Sequence, residues 1–297
     1  MKRMKSVISA VLLVFILAAC DNDSDDPQPT TANLELNLNG LEDLGADYVY
    51  EGWIIVNGAP VSTGTFTVDG NGNLSATSFQ VDATALSTAT TFVLTIEPTN
   101  DPDPAPAATK LLSGDFAANT AEVTINDQVG DFANASGTFF LRTPTDEADG
   151  VNNGNDIYGV WFGTPGMPPT PSLELPELPD GWIYEGWVVV DGFGPLTTGQ
   201  FEDASAQVAD LSAPFSEVNP GPPIPGEDFF LNAPNGVDFP LDIRGRTIVV
   251  SVEPVPDNSP APFLLKPLVG VSGQETAPAT HDLSLNAASF PSGQVQR

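Results

Sequence analysis

Tyr50-Glu51-Gly52-Trp53-Ile54-Ile55-Val56-Asn57-Gly58 recurs as Tyr184-Glu185-Gly186-Trp187-Val188-Val189-Val190-Asp191-Gly192, 134 positions later (184 − 50). Both runs are short, aromatic and β-branched, which favours strands. Each ends on a dipeptide, Asn57-Gly58 or Asp191-Gly192, suited to the positive φ of a type I′ hairpin turn. With a side-chain period of two, Glu51, Trp53 and Ile55 share one face, and Tyr50, Gly52, Ile54 and Val56 the other. Apolar residues on both faces mark a central strand. Trp53 and Trp187 therefore read as core packing, and an exposed ligand platform is the competing reading.

Working outward, the echo continues in the same order. Pro60-Val61-Ser62-Thr63-Gly64-Thr65-Phe66 returns as Pro195-Leu196-Thr197-Thr198-Gly199-Gln200-Phe201, and the proline is expected to widen the preceding turn. Val93-Leu94-Thr95-Ile96-Glu97-Pro98 returns as Val249-Val250-Ser251-Val252-Glu253-Pro254, now 156 positions on (249 − 93), each followed by a Pro-rich loop, a lysine (Lys110, Lys266) and a glycine (Gly114, Gly270). Upstream, Leu34-Glu35-Leu36 resembles Leu173-Glu174-Leu175. Such dense, ordered identity means two homologous units, expected over 32–170 and 171–297. The strands expected are Tyr48–Val56, Gly64–Val68, Thr91–Ile96, Thr138–Leu141 and Ile248–Val252. With 29 Pro and 27 Gly spread along the chain, no segment after position 30 longer than about ten residues keeps a helical period. The expected fold is all-β, two β-sandwich-like units in tandem.

The N-terminus sets the compartment. Met1-Lys2-Arg3-Met4-Lys5 is basic, and Val7 to Ala19 is an apolar run ending Leu17-Ala18-Ala19-Cys20. That describes a secretory signal over 1–19. The apolar run is shorter than the roughly 20 residues a membrane span needs. Leu-Ala-Ala-Cys resembles the lipobox of lipoprotein signal peptidase, which makes Cys20 the lipidated mature N-terminus. It is the chain's one cysteine, so no disulfide is expected. Residues 20–31, including Asp21-Asn22-Asp23-Ser24-Asp25-Asp26, read as an acidic tether. The expected location is the cell envelope, with the lipid as membrane anchor. The nine Lys+Arg and 39 Asp+Glu give a net charge of −30. Removal of Lys2, Arg3 and Lys5 with the signal takes it to −33. A surface so acidic argues against nucleic-acid partners.

The polar residues of the repeat carry mostly structural expectations. Glu97 and Glu253 close a strand before Pro98 and Pro254, a position that favours extended backbone. They are expected to pin the Pro-rich loop through a hydrogen bond or an ion pair, with Lys110 and Lys266 as partners. Gly58, Gly64, Gly192 and Gly199 complete the structural motif. His281 stands alone among polar residues, too few groups for a zinc site or a nucleophile–histidine–acid triad. Asp69-Gly70-Asn71-Gly72-Asn73 and Asn152-Asn153-Gly154-Asn155-Asp156 read as tight turns, with calcium ligation the weaker reading. No catalytic residue, metal site or cofactor is expected, and the chain does not read as an enzyme.

The pattern of Trp53, Asn57, Gly58, Pro60, Ser62, Gly64, Phe66, Thr95, Glu97, Pro98, Pro106 and Gly114, with a second set from Trp187 to Gly270, resembles the extracytoplasmic domain of the anti-sigma-K factor family. Members carry a cytoplasmic sigma-binding helical domain and one transmembrane helix ahead of this outer domain. This sequence shows neither, so the resemblance implies a fold and a location but not sigma-factor binding. The expected function is a non-catalytic extracytoplasmic interaction or sensory module with an envelope-protein partner. The alternative is a surface lipoprotein that binds a ligand such as a glycan.

Overall fold

The structure, a computed structural model, describes residues 30–147, 150–204, 214–257 and 259–297. Cys20, the signal over 1–19 and the tether up to residue 29 lie outside the described residues. Sixteen strands and one short helix follow β1 (Thr31–Asn39), β2 (Tyr48–Val56), β3 (Ala59–Phe66), β4 (Ser78–Asp82), α1 (Ala83–Thr88), β5 (Thr91–Pro98), β6 (Lys110–Ala117), β7 (Thr120–Val123), β8 (Gly137–Leu141) and β9 (Gly159–Phe162). The order continues with β10 (Trp182–Val190), β11 (Gly194–Phe201), β12 (Gly226–Asp228), β13 (Thr247–Pro254), β14 (Leu268–Val271), β15 (His281–Leu285) and β16 (Ser292–Gln296). The chain is all-β, as its sequence predicts.

The strands form two eight-stranded antiparallel sheets, β3-β2-β5-β6-β7-β16-β1-β4 and β11-β10-β13-β14-β15-β8-β9-β12. Read position by position the two orders correspond: β2 matches β10, β5 matches β13, and β1 matches β9. Each sheet curls until its end strands approach. Phe66 on β3 and Phe79 on β4 lie with ring centroids 6.1 Å apart.

The sheets do not divide the chain at residue 170. β8 and β9 join the second sheet, while the C-terminal β16 lies between β7 and β1 in the first. The second sheet is thus one continuous stretch, 137–285, placed between β7 and β16 of the first. The sequence match of Leu173-Glu174-Leu175 to Leu34-Glu35-Leu36 is also displaced. Leu34–Leu36 lies within β1, but Glu174 makes only an isolated bridge to Ser136, and β9 takes the place of β1. Strand pairing is non-local, so it overrides a three-residue local likeness.

The central-strand reading of the repeated run holds. β2 lies between β3 and β5, and β10 between β11 and β13. Pro60 and Pro195 fall on β3 and β11, the end strands, where a missing backbone N–H costs no ladder bond. The hairpins differ from one another. Asn57 (φ 52°) and Gly58 (φ 80°) form a two-residue turn of type I′ character, not widened by Pro60. The second copy carries one more residue, Phe193, and its loop is closed by Phe193 N–H donating to Val190 O at 3.1 Å. There only Gly192, at φ 77°, takes a positive φ.

One large apolar core runs through both sheets, from Leu34 and Leu36 to Leu268 and Leu283, with a smaller cluster of Phe140, Trp161 and Ile224 beside it. Two contacts recur almost without change. Tyr50 donates its hydroxyl to Glu42 O, eight residues upstream, and Tyr184 to Pro176 O at the same separation. Tyr50 stacks on Phe66 at 5.5 Å and Tyr184 on Phe201 at 5.5 Å.

Candidate functional site

The repeated motif assembles into the same tie twice. Trp53 is 4 % exposed and Trp187 2 %. In the first unit the Trp53 indole N–H donates to Thr95 Oγ1 at 2.9 Å, and Thr95 donates to Glu97 Oε1 at 2.5 Å. Glu97 Oε1 then accepts the backbone N–H of Ala107, in the Pro-rich loop, at 2.8 Å. In the second unit Trp187 donates to Ser251 Oγ at 2.7 Å, and Ser251 donates to Glu253. Both oxygens of Glu253 face the Phe263 N–H at 3.0 Å. A donor–hydroxyl–carboxyl chain therefore pins each Pro-rich loop, as the sequence predicts, but through a backbone amide.

The lysine partners do not materialise. Among the described residues the ion pairs are Arg142–Glu147 and Arg244–Asp242, and Lys266 Nζ donates to Phe263 O at 2.7 Å. An extended strand end followed by proline points the glutamate at the loop backbone, whose amides lie closer than the lysine heads. Burial raises the Glu97 pKa from its ordinary value and lifts that of Glu253 to about 8.

The glycines of the motif answer backbone demands. Gly64 (φ 119°) and Gly199 (φ 94°) stand beside β-bulges where β3 and β11 slip register against their partners. Gly114 and Gly270 press on the next strand: an added Cβ would lie 1.9 Å from Glu122 O and 2.4 Å from Asp282 O, respectively.

The other candidates are structural. His281 lies in β15 with its ring 5.2 Å from Phe139, its Nδ1 accepting from Gly273 N–H at 3.2 Å and its Nε2 2.9 Å from Glu275 O. Asp69 Oδ1 accepts the N–H groups of Asn71 and Asn73, each at 2.9 Å, which makes that loop a self-satisfied turn. In the second loop the Asn152 amide donates to both oxygens of Asp156, at 3.1 and 2.9 Å. Among the described residues no group of three or more His, Cys, Asp or Glu side chains converges as metal ligands, and no helix is long and apolar enough to cross a membrane.

Sequence reasoning missed a buried acidic pair and a cleft. Glu227 and Asp228, both 0 % exposed, follow one another on β12. Asp228 Oδ2 accepts from Thr145 N–H (2.8 Å) and Oγ1 (2.6 Å), and its Oδ1 from Trp161 Nε1 (2.9 Å). Glu227 accepts from Ser216 and from Asp228 N–H. Burial lifts Glu227 to about 8 and Asp228 to about 7. An acidic pair directly before Phe229-Phe230 is the local signal that was available. The pair is sealed from solvent.

The cleft, of about 460 Å³, opens where the two Pro-rich loops face each other. Ile96 and Pro98 of the first unit and Pro254, Pro256 and Phe263 of the second give it apolar walls. The Trp182 indole N–H, donated to Lys110 O at 3.2 Å, ties the two units beside it. Glu42 also lines it, and burial outweighs the nearby Lys266 charge to lift its pKa to about 7.

Residues 24–110 match the family described as "Anti-sigma-K factor rskA, C-terminal". The match spans the first tie from Trp53 to Glu97 and the loop up to Lys110. Comparison with curated proteins and with solved structures returned no match.

Proposed function

We propose that this chain is a lipid-anchored, extracytoplasmic, non-catalytic interaction or sensory module, built by duplication of a domain related to the anti-sigma-K outer domain. One observation carries the reading: the recurring Trp–hydroxyl–Glu tie. The motif that defines both repeats uses its polar groups to hold loops in place, which is scaffold work. Chemistry would need a nucleophile, base and acid converging on an open site. The glycan alternative needs an exposed aromatic face. Trp53, Trp161, Trp182 and Trp187, the four tryptophans of the chain, are all 5 % exposed or less.

The anchor is Cys20, and the repeats follow it, so the folded mass lies outside the cytoplasm. Direct sigma-factor binding is therefore not part of this function. Any effect on transcription would run through a separate membrane-spanning regulator. Metabolic labelling with a clickable fatty acid tests the anchor: Cys20→Ala should lose the label and move to the soluble fraction, and equal labelling of the variant refutes the lipoprotein reading. Crosslinking in intact cells tests the partner, with envelope proteins expected. A sigma factor crosslinked to residues beyond Cys20 overturns the topology.

A further inference from the structure

The cleft between the Pro-rich loops has a chemistry that its walls alone do not explain. Its carboxyl groups are Glu42, Asp43 and Asp47 from the first unit and Glu253 and Asp257 from the second, and among the described residues no lysine or arginine lines it. Lys266 stands close to Glu42, and its ammonium also donates to Phe263 O at 2.7 Å. The volume falls in the range of small-molecule sites, roughly 300–1,000 Å³.

Three kinds of occupant can be compared. An anion would meet five carboxyl groups and no cation. A neutral apolar molecule would suit Ile96, Pro98 and Phe263 but would strip water from a cleft whose carboxyl groups outnumber the one nearby cation, Lys266, which is costly. A cation carried on an apolar body satisfies both the walls and the carboxylate.

We propose that the cleft binds a small organic cation, a protonated amine on an apolar body, with Glu42 as its counter-charge. A free alkylamine and the lysine side chain of a partner peptide share this chemistry. The proposal deepens the sensory reading and rests on it for its biological meaning.

A second consequence is proton release. In the cleft Glu42 faces Lys266, the neighbouring Asp43 and the Tyr50 hydroxyl, with Glu253 also lining it, and its pKa of about 7 leaves it partly protonated at neutral pH. A bound ammonium favours the ionised form, so binding expels that proton.

The test is calorimetric titration of the full chain in detergent micelles, using n-hexylammonium, Nα-acetyl-lysine amide and the neutral 1-hexanol as probes. At about pH 8 an amine should bind roughly tenfold or more tighter than hexanol, and its affinity should rise roughly tenfold from about pH 6 to about pH 8. Glu42→Gln should abolish most of both effects, and Glu202→Gln, in the neighbouring open groove, should change neither. The tighter amine identifies the source. Equal binding of amine and hexanol, a flat pH profile, or an unchanged Glu42→Gln protein overturns the proposal, as does no saturable binding of either amine at about 10 mM. Should Glu42→Gln fail to fold, the wild-type pH profile and the hexanol comparison still decide. None of these readouts depends on lipidation or on an envelope partner, so this proposal and the module reading can fail separately.

Discussion

The two units share a strand frame and differ in what they bury. At the sheet position of β4, the first unit has Ser78-Phe79-Gln80-Val81-Asp82, with only Val81 buried. At the equivalent position of β12 the second has Glu227-Asp228, both fully buried. Glu51 in the first repeat bonds Ser62 at an exposed edge, whereas Glu185 is 5 % exposed and accepts from Thr197 and from Gln200 at 2.9 Å. A duplicated frame thus tolerates very different polar contents, because the ladder and the ties carry the architecture. The added carboxyls make the second unit the one whose stability should answer more strongly to pH, beside Glu42 and Glu97 in the first.

That contrast can be broken first by pH. Burial lifts Glu227 and Glu253 to about 8 and Asp228 and Glu185 to about 7, all above their ordinary values. The folded second unit therefore keeps protons that the unfolded chain gives up. Its stability is full below about pH 4.5 and falls as pH climbs to about 8, by on the order of 4 kcal/mol for Glu227 alone. Hydrogen exchange resolved by segment should show 137–285 losing protection over this window more than 31–123. Glu227→Gln should flatten the slope, and equal slopes in both units would erase the contrast.

The shared ties offer the next measure. Trp53→Ala and Trp187→Ala should each destabilise their own unit by roughly 3–5 kcal/mol, the usual effect of truncating a buried large aromatic. Denaturation within about 0.5 kcal/mol of wild type would mark them as surface residues.

Smaller differences sharpen the comparison. A Cβ at Gly52 would lie 2.5 Å from Thr63 Oγ1 and 3.1 Å from the Phe92 ring, against 2.1 Å from Thr198 Oγ1 and 2.6 Å from the Phe162 ring at Gly186. Both alanine variants should cost about 1–3 kcal/mol, with Gly186→Ala the more damaging because the ring stands closer. Chemical denaturation of the pair checks the order.

The smallest expected effect is confined to the first unit. Arg297 donates from Nη1 to Leu86 O (3.0 Å) and Ala89 O (2.5 Å), and from Nη2 to Ala118 O (2.9 Å). It also lies 4.5 Å from the Phe116 ring centroid, and so latches β16 into its sheet. Arg297→Ala should cost about 1–2 kcal/mol. The sign of the mechanism is faster hydrogen exchange in β1, β7 and β16, with β8 and β15 unchanged.

Much of this architecture is local and so was legible in the sequence. Residue type and turn residues marked β2, β5, β10 and β13 as strands, and apolar residues on both faces marked the repeated run of β2 and β10 as central. The dense repeat marked two units, and the position of Glu97 and Glu253 before proline marked them as pins for the loops that follow. Those signals work because side-chain alternation, positive φ at glycine and the restriction before proline act within a few residues.

The tertiary structure alone decided the rest. Ser292–Gln296 has one buried side chain, Val295, and no pattern to say that it would close the first sheet between β7 and β1. β8 and β9 precede residue 170 yet pair with the second repeat, because a ladder is chosen among all available edges. The Glu227-Asp228 pair and the acidic cleft arise from burial by residues far away in sequence. Desolvation depends on which segments meet in space, and strand pairing brings those segments together.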